Sequence, residues 1–106
     1  MEKQLHILHV EPEHSLRPIF SAELIKAGFC IHSASNFKQA NNILSANPKI
    51  HAAILGIHKN QAWGLKLAAQ IKKTRPEIRI ILTAGFPEIA NIAKIWKPMP
   101  VFKNHI

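Results

Sequence analysis

The chain has 106 residues, enough for one small domain with a single hydrophobic core. Its 47% hydrophobic content excludes a disordered chain, and no apolar run nears the ~20 residues of a membrane span. Fourteen Lys and Arg against six Asp and Glu give a net charge of +8, which favours acidic partners such as nucleic acid without specifying one.

The first five residues lead into an apolar strand without a signal-peptide shape, and the single cysteine, Cys30, allows no internal disulfide. Both features predict a cytoplasmic protein that contacts no membrane, with Cys30 a buried, inert thiol. The basic residues are scattered. Their one tight cluster, Lys72-Lys73-Thr74-Arg75, falls at a predicted helix end, where cations complement the helix dipole.

Residues 5–10 read as a buried strand, a short apolar run that includes His6 and His9. A helix follows from residue 13 or 15 to 27. Leu16, Ile19, Phe20, Leu24 and Ala27 are expected on its inner face, Pro18 is tolerated in its first turns, and Gly28 is its stop. Residues 29–33 form a second short strand. Asn36 is placed to cap a helix over 37–46, with Ala40, Ile43 and Leu44 inward, and Asn47-Pro48 breaks it. Residues 52–57, apolar on both sides, predict a central parallel strand. A polar loop leads to a helix over 63–74 with Leu65, Leu67, Ala68 and Ile71 as its apolar set, ended by Pro76. A fourth strand spans 78–84, a short helical turn 88–92 and a fifth strand 93–96. The tail, 98–106, is too short for a full closing helix.

Alternating strands and helices with buried strands predict a doubly wound parallel α/β sheet within one domain, 1–106. Such sheets bind ligands at the carboxyl ends of their strands. Those ends carry Val10-Glu11, Leu55-Gly56, Thr83-Ala84 and Trp96-Lys97, which gathers Glu11, Gly56, Thr83 and Lys97 into one candidate pocket.

This ordered set resembles the receiver domain of response regulators, the CheY-like superfamily. The family pattern is an acidic pair after strand one, an aspartate after strand three, Thr or Ser after strand four and Lys-Pro after strand five. Here the matching stretches are Val10-Glu11-Pro12-Glu13, Leu55-Gly56-Ile57-His58, Ile81-Leu82-Thr83-Ala84 and Trp96-Lys97-Pro98, with Gly64 closing the loop after strand three. The resemblance covers residues 5–98. It implies a five-stranded sheet in the order 2-1-3-4-5. It also implies phosphate-contacting roles for Thr83 and Lys97, and a cis bond at Lys97-Pro98.

The departures change the expected function. The phosphoacceptor aspartate is replaced by Gly56, which has no nucleophile, and the acidic pair becomes Glu11-Pro12. Mg²⁺ needs oxygen ligands in tight octahedral geometry, and Glu11 with one backbone carbonyl supplies few of them; Glu13 is expected to start the helix instead. The family's aromatic switch residue is replaced by Lys94. Fourteen positions separate Thr83 from Lys97, which shortens the fourth helix, and Thr83-Ala84-Gly85-Phe86 resembles the turn of receivers within hybrid kinases. The fifth helix is expected to be absent or rudimentary, exposing apolar surface for association. Phe86, Ile89, Ile92, Ile95, Trp96, Val101 and Phe102 are the expected interaction surface. Trp63 reads equally as filler of the emptied pocket or as a partner anchor.

Seven histidines raise a metal question. His6 and His9 lie three apart on a strand and face opposite ways, so they cannot share an ion. A His9/His58/Glu11 set would suit Zn²⁺ in ligand type but has no recognised spacing. His14, His32, His51 and His105 read as surface or loop residues. Ser15, Ser21, Ser33, Ser35 and Ser45 have no nucleophile–base spacing, so no enzyme activity, metal or cofactor is expected. The reading is a phosphorylation-independent pseudo-receiver in two-component signalling. It would bind a histidine kinase, another regulator or a second copy as a homodimer. The alternatives are a polyanion-binding protein and an anion or small-molecule sensor using Thr83 and Lys97.

Overall fold

The computed structural model describes residues 4–56 and 63–83, the Trp63 side chain excepted. Its elements are β1 (His6–Val10), α1 (Arg17–Lys26), β2 (Cys30–Ala34), α2 (Phe37–Ala46), β3 (Ala52–Gly56), α3 (Trp63–Thr74) and β4 (Arg79–Thr83). All pairings among these strands are parallel, in the order β2-β1-β3-β4. This is the order expected for the first four strands. The expected fifth strand, the short fourth helix, the Lys97-Pro98 bond and the tail lie outside the described residues.

The sheet is covered on both faces. Leu8, Val10, Ala53 and Leu55 point toward α2 and α3 and pack with Ala40, Leu44, Leu67, Ile71 and Ile78. Ile7, Ala52 and Ile54 point the other way and pack with Phe20 and Leu24 of α1 and with Phe29. Every residue of β3 is buried, as its unbroken apolar run requires of a central strand. β4 departs from expectation: Arg79 is exposed and Leu82 is 43% exposed, so its apolar run is not buried on both faces.

Local chemistry sets the helix ends. Asn36 accepts the Gln39 amide at 2.8 Å, and Gln39 Oε1 in turn accepts the Ser35 amide and hydroxyl at 2.8 Å each. These two side chains satisfy amides at the start of α2 that have no partner within the helix. α1 has no such side-chain cap; the Glu13 carbonyl accepts the Leu16 and Arg17 amides instead. Gly28, at φ 105°, turns the chain out of α1 in a conformation that costs a residue with a Cβ.

Two residues expected in the core are exposed, Ile19 at 55% and Leu65 at 52%. The buried residues of α1 are Phe20, Ser21 and Leu24, with Leu16 and Ala27 half-buried at its two ends, so the inner face turns toward Ser21 and away from Ile19. In α3 the buried line is Gly64, Leu67 and Ile71, which leaves Leu65 a step outside it.

Candidate functional site

β1, β3 and β4 lie side by side and end at the same edge of the sheet. Val10 pairs with Leu55 and Gly56 pairs with Thr83, so the residues after β1 meet the last residues of β3 and β4. Three of the four expected pocket residues, Glu11, Gly56 and Thr83, therefore converge. Lys97 lies outside the described residues, as do His58 and the expected surface residues Phe86, Ile89, Ile92, Ile95, Trp96, Val101 and Phe102.

Glu11 is 1% exposed and Thr83 is 3% exposed. The Glu11 side chain reaches across to β3. A Cβ placed on Gly56 would lie 2.7 Å from Glu11 Oε1 and 3.2 Å from the Val10 carbonyl oxygen. The room in which a side chain at position 56 would begin is thus filled by a carboxylate from the neighbouring strand. Glu11 Oε2 accepts the Glu13 amide at 3.0 Å, and Arg17 Nη1 donates to the Glu11 carbonyl at 2.9 Å. Pro12, half-buried between them, removes one amide donor from the turn and fixes its φ. Gly64 brings the start of α3 against the end of β3. A Cβ there would sit 3.6 Å from the Gly56 carbonyl, an ordinary contact, so this position is not sterically reserved for glycine.

The site fits Mg²⁺ poorly. Among the described residues one buried carboxylate faces it, already bonded to a backbone amide. Glu13, the second acidic residue of the turn, is exposed and accepts the Ser15 hydroxyl at 3.2 Å. It does not start the helix as expected: α1 begins at Arg17, four residues later, and Glu13 lies on the approach to it.

Below this edge, His9 is wholly buried beside Phe20, their ring centroids 6.4 Å apart. Burial, with the Arg17 charge adding to it, lowers the His9 pKa to about 4, so the ring is neutral at pH 7. Its Nδ1 pairs with Ser21 Oγ at 3.2 Å, and Ser21 Oγ pairs with Ser33 Oγ at 2.9 Å. No serine was expected to have a histidine partner, because residues 9 and 21 show no motif; α1 packing on β1 brings them together. Both are buried, so the pair is no exposed nucleophile. It explains why Ser21 rather than Ile19 turns inward.

Two further expectations are corrected. His32 is a half-buried residue of β2 rather than a surface one, and Cys30 is half-buried rather than sealed in the core. The two lie with His6 at the opposite, amino-terminal edge of the sheet, a grouping visible only once β1 and β2 are in register. Arg75 is also not a free cation. It donates to the Leu44 and Pro48 carbonyls at 3.0 Å each and pairs with Glu77 at 2.7 Å, tying α3 to the end of α2.

No family model matches the chain. It is 37% identical over 84 residues to an NtrX-like response regulator of Rickettsia felis; the match covers 77% of this chain and 18% of that protein. The chain thus spans about a fifth of the length of the curated relatives it matches. Among solved structures it is similar to the response regulator TrrA of Thermotoga maritima in complex with Mg²⁺ and BeF. That match has a TM-score of 0.67 and 28% identity, and covers 88% of this chain and 80% of that one. TrrA in complex with the histidine kinase ThkA matches with a TM-score of 0.68 and 28% identity, over 78% of this chain and 71% of that one. Strand order, the two-faced helix cover and these relatives agree: the chain has the CheY-like receiver fold, and its homologues are two-component response-regulator receivers.

Proposed function

We propose that this chain is a degenerate receiver, an interaction module of two-component signalling that works without being phosphorylated. The observation that carries the reading is the Glu11 carboxylate over Gly56. Phosphoryl transfer to a receiver needs a nucleophile after the third strand and cations around the incoming oxygens. Gly56 supplies no nucleophile. Glu11 adds negative charge where the phosphoryl oxygens would gather, which weighs against the anion-sensor alternative.

By resemblance, Lys97 is the residue that would balance the Glu11 charge, holding the pocket in one state. Such a module binds its partner constitutively. A histidine kinase is the favoured partner class, since the related TrrA is found in complex with one. Another regulator or a second copy is the alternative, through the surface from Phe86 to Phe102.

Intact mass after exposure to acetyl phosphate and Mg²⁺ tests the reading. The expected result is no phosphoryl adduct on the wild-type chain. An adduct on the wild-type chain would overturn it, because another side chain would then be performing the transfer. Gly56→Asp measures how much of the machinery survives: an adduct appearing only in that variant would place the block at Gly56 itself.

A further inference from the structure

The amino-terminal edge of the sheet gathers a different chemistry. β1 and β2 run parallel with His6 opposite Cys30 and Leu8 opposite His32. Side chains alternate along a strand, so Cys30 and His32 share one face, and the register puts His6 on that same face. The backbone alone therefore converges three ligand-type side chains. Their ligand atoms all lie within 4.8 Å of one another. His6 Nδ1 and His32 Nε2 are 3.0 Å apart, and Cys30 Sγ lies 3.9 Å from His32 Nε2. The His6 and His32 rings stack at a centroid distance of 5.3 Å, inclined by 25°. The His6 amide donates to His51 Nδ1 at 2.9 Å, which pins the start of β1 to the segment before β3.

These spacings match what a metal ion requires. In a tetrahedral zinc site with bonds of ~2.0–2.3 Å, neighbouring nitrogens sit about 3.3 Å apart and a nitrogen and a sulfur about 3.6 Å apart. To reach those values the His6–His32 pair widens and the Cys30–His32 pair closes by a few tenths of an ångström each, while Cys30 Sγ starts within 4.8 Å of a His6 ring nitrogen. All three residues are half-buried, so the cluster is held by the sheet yet reachable from solvent.

We propose that His6, Cys30 and His32 form a binding site for a borderline-soft divalent transition-metal ion, with Zn²⁺ as the reference ion. Two imidazoles and a thiolate select that class and disfavour Mg²⁺ and Ca²⁺, which take oxygen ligands. His6 ligates through Nδ1 and carries its proton on Nε2. His32 ligates through Nε2 and carries its proton on Nδ1. The hydrogen bond now joining the two rings is given up, and the Cys30 thiol releases one proton to solvent as the sulfur–metal bond forms. The set supplies three protein ligands and leaves a fourth position for water or a partner's side chain. The site lies at the opposite end of β1 from Glu11, about 16 Å away along the strand, so it is independent of the pocket reading.

Titration of the whole 106-residue chain with Co²⁺, followed by Zn²⁺ displacement, tests the proposal. One equivalent should bind with a near-ultraviolet thiolate-to-cobalt charge-transfer band. Cys30→Ser should abolish the band, and His6→Ala and His32→Ala should each weaken binding at least tenfold, while His14→Ala changes nothing. A second measurement uses only the wild-type protein, so a misfolded variant cannot mask the answer. Zn²⁺ should slow iodoacetamide alkylation of Cys30 at least tenfold, and EDTA should restore the rate. Absence of the band, binding that survives Cys30→Ser, or an alkylation rate indifferent to Zn²⁺ would each overturn the site.

Discussion

At the scale of single residues, Glu11 and Gly56 are one device. Gly56→Ala introduces a Cβ 2.7 Å from Glu11 Oε1, so the carboxylate must move and its bond to the Glu13 amide weakens. We expect a destabilisation of about 1–3 kcal/mol by urea unfolding. The same change in a Glu11→Ala background should cost less, since the nearest obstructing atoms are gone and only the Val10 carbonyl oxygen at 3.2 Å remains. A double-mutant cycle showing no coupling would contradict the geometry. His9 makes the second residue-scale prediction. Its folded pKa, about 4, lies below the ordinary 6.5, so the unfolded chain takes up the proton first. The stability due to neutral His9 is complete above pH ~6.5 and is lost as pH falls toward 4, a loss of about 3 kcal/mol. Urea midpoints measured across that range should fall steeply in the wild-type chain and more gently in His9→Leu.

At the scale of elements, the ends of α2 and α3 hold the layer on one face together. Asn36→Ala removes the cap of α2 and should cost about 1 kcal/mol. Arg75→Ala unties α3 from the Leu44 and Pro48 carbonyls, and the melting temperature should fall by several degrees even though the residue lies in a basic cluster. These elements were legible in the sequence because their signals are local. Asn36, Pro48 and Pro76 punctuate the chain, and 37–46 and 63–74 come out at the same bounds in the structure. The phase of a helix is less local. Ile19 and Leu65 fit an apolar face by spacing, yet Ser21 and Gly64 take the inner places, because His9 and the end of β3 are what those helices meet. The pocket was half legible in the same way. Strand ends placed Glu11, Gly56 and Thr83 together, but the reach of Glu11 across to β3 depends on a cross-strand approach with no sequence signature. The His6, Cys30 and His32 group needed the register of β1 on β2 before it could be seen.

At the scale of the whole molecule, the charge of +8 asks whether nucleic acid is the real partner. Binding a duplex tightly needs many cations presented together, because each phosphate contact releases counterions and contributes to the salt slope. The described cations are dispersed. Lys26 ends α1, Lys38 lies on α2, Lys49 precedes β3, Lys66, Lys72 and Lys73 lie on α3, and Arg79 starts β4, so they belong to elements on both faces of the sheet. Lys72 and Lys73 sit in the last turn of α3, where they complement its dipole. Arg75 is committed to carbonyls, and Arg17 to the Glu11 carbonyl. The described residues thus offer polyanions a net field rather than a concentrated basic surface. Fluorescence anisotropy with a 20-base-pair duplex should therefore show only weak binding at low salt. At about 0.15 M salt it should be no tighter than the ~10⁻⁶–10⁻⁴ M of non-specific binding. Submicromolar affinity at that salt, with a steep dependence of log K on log salt, would require a concentrated basic face and would make polyanion binding the leading function in place of protein recognition.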